Sequence, residues 1–191
     1  MEQPKFRVGD KLVYPNHGVV VLEQIGESPV FGTDVICYHL RLLANNSRFM
    51  VPVRNADQLG LRALYGQEQL REVYRFLEET RRPLSDWKGR YRENLDRMKT
   101  GRLEDVAVVA RDLDEVSRGK SLSFREKKMY DRAKYLLISE IATVREIPEF
   151  EAGRMLELLL ESPKCPGCRT TMIRGKRGLQ CTYCNAGAMH T

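Results

Sequence analysis

Tryptophan occurs once in this chain, histidine three times and cysteine five times, with four of the cysteines inside the last 28 residues. The scarcity of histidine joins other absences. The chain has no Gly-x-x-x-x-Gly-Lys-Ser/Thr loop, no Gly-rich dinucleotide turn and no His-Glu-x-x-His, which removes the commoner nucleotide- and metal-dependent enzymes. His17-Gly18-Val19-Val20 reads as a turn entering a strand and Ser121-Leu122-Ser123-Phe124 as a helix start, so neither is a nucleophile site. No apolar run approaches the ~18 residues of a membrane-spanning helix. The opening MEQPKFRVGD lacks the basic-then-apolar layout of a secretory signal. The sequence has no internal repeat and no low-complexity tract. The expectation is a non-enzymatic cytoplasmic protein, with no membrane partner and no small-molecule substrate.

What is present is a polar globular composition: 191 residues, 42% apolar and 30% charged, enough for one domain or two small ones. The net charge of +6 is unevenly spread. Residues 1–80 hold 9 basic and 10 acidic side chains, and residues 103–163 hold 10 and 13. The excess lies in residues 81–102, with 8 basic against 3 acidic, and in residues 164–191, with 5 and none. Such segments are either solvated surface or phosphate-binding patches, since each cation placed on a phosphate releases condensed counterions.

The first ~65 residues read as short strands. FRVGDKLVYPNHGVVVLEQIG, DVICYHLRLL and SRFMVPV are rich in Val and aromatics and are punctuated by Gly9-Asp10, Pro15-Asn16 and Ala44-Asn45-Asn46. That pattern predicts a small bent sheet or barrel over 1–65. From about Gly66 the period becomes helical: Leu70, Val73, Tyr74 and Leu77 fall on one face. Arg82-Pro83 ends that helix, and Ser85 is expected to cap the next, which runs to about Lys99. Thr100-Gly101 breaks the chain before LEDVAVVARDLDEV. Ser123 and Glu126 then form a capping box for a long helix, and Pro148 opens the last one. The fold class is α+β: a small β-barrel, a helical domain over 66–162 and a tail over 163–191.

In the tail, Cys165-x-x-Cys168 and Cys181-x-x-Cys184 are separated by twelve residues. Each pair folds into a knuckle that aims two thiolates at one point, and two facing knuckles offer the tetrahedral sulfur set that zinc takes. Arg174-Gly175-Lys176-Arg177-Gly178 supplies the turn that returns the second knuckle. With no open coordination position the metal is structural. Iron uses the same ligands, and paired disulfides or a dithiol redox pair remain the non-metal alternatives. Cys37, alone in an apolar strand, reads as a buried small hydrophobe.

The single tryptophan, Trp87, lies in SDWKGRYR at a helix start, with Arg90 and Tyr91 three and four residues on. One reading packs it in the helical core, the ordinary place for an indole. The other makes it a wedge, because proteins that distort duplex DNA insert an apolar side chain at a base step while flanking cations grip the phosphates. Arg81 and Arg82 lie upstream of it, and Lys88, Arg90, Arg92, Arg97 and Lys99 downstream.

Taken together, FRVGDKLVYPNHGVV, VPVRNADQLGLR and DWKGRYRENLDRMKTGRLEDVAVVARDL resemble the CarD/CdnL family of bacterial RNA polymerase-binding transcription regulators, over about residues 5–160. The resemblance implies a Tudor-like N-terminal domain that docks on the β-subunit lobe of RNA polymerase by its sheet edge, and a helical domain that touches promoter DNA. It implies that Trp87, Arg90, Tyr91 and Arg92 match the family's W-x-x-R-Y-[KR] motif. The tryptophan of that motif wedges into the minor groove at the upstream edge of melted DNA and opposes reclosing. Lys88, Arg97 and Lys99 would add phosphate contacts, and Arg48, Met50, Val51 and Pro52 would face the polymerase. Two positions depart from the pattern: Gly89 stands where a basic residue is common, and Met50 where a basic residue is expected, with Arg48 two positions earlier on the same strand face. The zinc-ribbon-like tail is not part of the family's usual pattern.

An indole stacked at the fork would contribute ~1–3 kcal/mol toward the open state. The competing function is an RNA- or ribosome-binding adaptor in which the basic ribbon is the main contact and the β domain docks on protein.

Overall fold

The computed structural model describes residues 4–30, 33–78, 86–161 and two short strands, 173–175 and 178–180. An antiparallel sheet comes first: β1 Lys11–Tyr14, β2 Gly18–Val30, β3 Thr33–Leu42, β4 Arg48–Pro52 and β5 Arg62–Ala63. Five helices follow: α1 Gln67–Glu78, α2 Trp87–Lys99, α3 Leu103–Gly119, α4 Phe124–Arg145 and α5 Glu149–Glu161. The α+β expectation describes this arrangement. The strands pair in the order β4-β3-β2-β1-β5, so β4 and β5 are the two edges of the sheet.

β2 is long enough, at 13 residues, to pair with both neighbours, and its register with β3 shifts between Leu22 and Gln24. A bulge of that kind bends the strand and deepens its twist, which is how so small a sheet encloses a core. That core contains Leu12, Val20, Leu22, Tyr38, Leu40 and Val51, with Phe6 across its mouth. The turn after β3 carries Asn46 at φ 59, a left-handed position that asparagine accepts. Cys37 is fully buried on β3. Burial pushes its thiol up, against a smaller opposing pull from Arg54, so it is an unreactive core side chain.

The helices enclose a second core of Leu70, Val73, Leu77, Val109, Leu113, Leu137 and Leu156. Of the four periodic positions of α1, Leu70, Val73 and Leu77 are buried and Tyr74 is half-buried against the same core. α4 begins with the capping box: Ser123 Oγ accepts from the Glu126 amide while Glu126 accepts from the Ser123 amide. At α2 the cap is one residue later than expected. Asp86, not Ser85, accepts from the Gly89 amide at 2.7 Å, because its carboxylate reaches the third amide of a helix whose first residue is Trp87. Ser85 itself, with the Arg82-Pro83 break, lies outside the described residues.

In the tail, β6 Ile173–Gly175 pairs antiparallel with β7 Gly178–Gln180. The chain therefore reverses direction between the two cysteine pairs. Cys165, Cys168, Cys181 and Cys184 lie outside the described residues.

Candidate nucleic-acid interface

α2 is a polar helix, and its inward face is unusual for a helix in a small protein. The residues it buries, four apart, are Arg90, Asn94 and Met98. Arg90 is 3% exposed, so it is not on the surface where a phosphate contact was expected. Its guanidinium turns inward, with Nε 3.0 Å and Nη2 2.5 Å from Glu126 Oε1, and Glu126 is 4% exposed. A buried cation without a partner would be prohibitive in free energy, and the capping-box carboxylate of α4 is the partner available. Glu126 thereby serves two ends, with Oε1 holding Arg90 and Oε2 accepting from the Ser123 amide and hydroxyl. Burial drives its carboxyl toward the neutral form, but the Arg90 and Ser123 hydrogen bonds outweigh that and leave its pKa below the ordinary value. The first turns of α2 and α4 are in this way bolted together.

Trp87 precedes Arg90 by one turn, beyond the end of the core, and is 48% exposed. Lys88 Nζ lies 5.8 Å from the centre of the indole. Lys88 and Arg92 are exposed, and no ion pair is found for either among the described residues. Tyr91 is half-buried against the helical core. Arg97 is drawn into Glu93 at 2.6 Å and lies 3.8 Å from Asp105, and Lys99 sits 3.0 Å from Asp96. Of the seven side chains expected to face DNA, Trp87 and Lys88 are brought together at the surface, and Arg92 is exposed one turn beyond Lys88. Arg97 and Lys99 already hold carboxylates, Tyr91 supports the helix, and Arg90 positions it.

The Arg90–Glu126 contact brings a further basic set to the same end of the molecule. Arg125 and Lys127 flank Glu126 at about 100° on either side of α4, and Lys120 lies just before the cap; all three are exposed. On the outer face of α4, Phe124 is 72% exposed with Lys128 Nζ 4.6 Å from its ring centre. Sequence reasoning missed this set because residues 103–163 carry a net negative charge as a block, which hides the local run Lys120, Arg125, Lys127, Lys128. The signal was an amphipathic one: Arg125, Lys127 and Lys128 fall off the buried face of α4, and Lys120 lies just before that helix.

The sheet presents the other expected contact. Among the described residues β4 pairs only with β3, which leaves one side of its backbone unpaired there. Arg48 and Met50 share a face, with the Arg48 side chain 80% exposed and Met50 50% exposed. Arg48 Nε is 3.4 Å from Glu23. Val51, at 2% exposure, is a core residue, so its side chain cannot meet a partner, and only its backbone lies on the edge. Pro52 is half-buried beside it. Among the described residues no group of three potential metal ligands gathers, and no helix is long and apolar enough to cross a membrane.

The sheet and the helices each match a family model. Residues 6–64 match the CarD-like/TRCF RID domain, and residues 72–157 match the CarD C-terminal domain. A Bacillus subtilis (strain 168) protein named "Putative transcription factor YdeB" is 34% identical over 147 residues, covering 75% of this chain and 95% of that protein. The chain belongs to the CarD family. Within it, the α2 motif lies in the matched C-terminal domain and the β4 edge in the matched N-terminal one. The cysteine-bearing tail lies beyond both matched regions.

Proposed function

We propose that this CarD-family chain is a non-enzymatic transcription regulator that joins RNA polymerase to promoter DNA and stabilises the open complex. The observation that carries the proposal is Trp87: a large indole half-exposed at a helix start that a buried ion pair holds in place, with Lys88 beside it and Arg92 exposed one turn farther on. About half of the indole is left for a partner to cover, and a base step is a partner that would bury it. Arg125 and Lys127 extend the positive surface for the phosphates, so the contact set differs from the motif alone. Polymerase binding rests on the RID-type domain match and on the unpaired β4 edge, where Arg48 and Met50 would meet the β-subunit lobe by strand addition. Regulation of transcription is also what the name of the B. subtilis relative ascribes to that protein.

Open promoter DNA tends to re-anneal, and a ligand shifts that balance only by its differential affinity for the open state. The test is the lifetime of the open complex on a promoter fork with purified bacterial RNA polymerase. Adding the protein should lengthen it, and the gain should fall steeply with salt. No change in lifetime, together with retention on RNA in the absence of polymerase, would instead support the adaptor role.

For the tail we propose one structural zinc ion on Cys165, Cys168, Cys181 and Cys184. Metal analysis of the full chain should give one equivalent of zinc, released by a thiol-modifying reagent. Visible thiolate-to-iron absorbance would reassign the metal, and two disulfides with no bound metal would overturn the site.

A further inference from the structure

The sheet and the helices have separate apolar cores, and at their junction Val13 and Val19 of the sheet face Leu103, Val106 and Leu136 of the helices, with the polar contacts of that seam converging on Arg62. Arg62, on the edge strand β5, donates from Nη1 and Nη2 to the two carboxylate oxygens of Glu140 on α4, at 2.7 and 2.9 Å. Its Nε donates to the Gly101 carbonyl at 2.9 Å. Glu140 is 2% exposed and also accepts from the Tyr65 amide at 3.0 Å, and the Tyr65 hydroxyl donates to Glu104 at the start of α3.

Gly101 is the corner between α2 and α3. It has φ +73, and a Cβ there would stand 2.8 Å from Pro15 Cγ in the β1–β2 turn. The corner thus fits against the sheet only as glycine, and Arg62 holds its carbonyl. Two turns earlier on α4, the Arg132 guanidinium donates to the Asn16 carbonyl of the same turn.

α2 is therefore held at both ends. Its first turn is tied to α4 by Arg90, and its last is tied to β5 through Gly101 and Arg62. Trp87 lies ~20 Å along the helix from that corner. Because Arg90 fixes that end of α2 to α4, the indole moves with the helices as a body, and a small rotation of that body against the sheet about the corner would displace the indole much farther than the corner itself.

We infer that Arg62 is a positioning residue: it makes the sheet and α2 one rigid piece, so that a β4 edge docked on polymerase presents Trp87 to DNA at a fixed offset. This rests on the wedge reading above. The energetic reason to use this device is entropic. Two domains joined loosely would each bind their own partner, but the wedge would be found at the fork for only a fraction of the time.

The test uses the full chain with Arg62→Met, Glu140→Gln and Gly101→Ala, and reads three quantities. Affinity for polymerase alone and for DNA alone should be unchanged. Open-complex lifetime at saturating protein should fall about fivefold, by the weaker end of what a stacked base contributes. Residual dipolar couplings should fit one alignment tensor for sheet and helices in the wild type and require two in the variants. Val73→Ala, in the helical core and away from α2, is the control for lost stability, and should lower the melting temperature while leaving the saturating lifetime intact. Glu140→Gln keeps the site's volume and serves if Arg62→Met does not fold. A single tensor in the variants, or a Val73→Ala effect as large as theirs, overturns the positioning role. If Trp87→Ala shortens the lifetime and the Arg62 and Glu140 variants do not, the positioning role alone fails. If none of the three matters, the wedge reading beneath it fails as well.

Discussion

Trp87→Ala is expected to abolish most of the protein's effect on open-complex lifetime, a loss of roughly 5-fold to over 100-fold if one base stacks on the indole. The same substitution should cost stability only ~1 kcal/mol, because the ring is 48% exposed and lies beyond the end of the helical core. Polymerase binding, assigned to the β4 edge on the far side of the sheet from β5, should be untouched. The pattern to measure is thus a large kinetic loss beside a small thermal one. If the thermal loss is several kcal/mol and the lifetime is unaffected, the indole is a packing residue.

Arg90→Met is expected to give the opposite pattern, a stability loss of ~3–5 kcal/mol, because it leaves the Glu126 carboxylate buried and uncompensated. Its pH dependence identifies the cause. In the wild type the pKa of Glu126 is lowered, so the stabilisation it provides is complete above the ordinary carboxylate range and is lost as pH falls through the lowered value. Without Arg90, burial dominates and the same carboxyl must titrate upward, so acidification neutralises the orphaned charge and relieves the variant. The gap in melting temperature between wild type and Arg90→Met should therefore narrow from about pH 7 down to about pH 4, near the ordinary glutamate value. A gap independent of pH would show that the loss is one of packing rather than of pairing. Since Arg90 sets the direction in which α2 leaves α4, the variant should also lose Trp87-dependent function even at temperatures where it remains folded.

Much of the architecture was legible in local chemistry. Ser123 and Glu126 announce the start of α4 because the capping box needs only residues three apart. Leu70, Val73 and Leu77 declare the buried face of α1 by their spacing. The helix containing Trp87 was placed to within a residue, and the error at its cap arose because Ser85 and Asp86 are both good caps and only the path of the chain chooses between them.

The candidate site was less legible, for a reason that Arg90 makes plain. A basic residue in a basic segment reads as surface, and nothing within ten residues of Arg90 says otherwise. Its partner is 36 positions away. The same holds for Val51, whose place in a strand end gives no hint of whether it faces core or solvent until β3 is laid beside it. It holds also for Lys120, Arg125 and Lys127, which join the Trp87 region only because an ion pair between two helices brings their first turns together.

By itself the sequence determined the order of strands and helices, the capping box of α4, the location of the excess positive charge and the spacing of the four tail cysteines. These follow from interactions between residues a few positions apart, whose energies do not depend on the rest of the chain. Only the tertiary structure decided which cation of α2 points inward, that Trp87 stays half exposed, and that Arg62 ties β5 to the corner of α2. Those outcomes depend on burial and on pairing across 36 to 78 positions, and a charged side chain is buried or exposed according to whether a distant partner arrives to meet it.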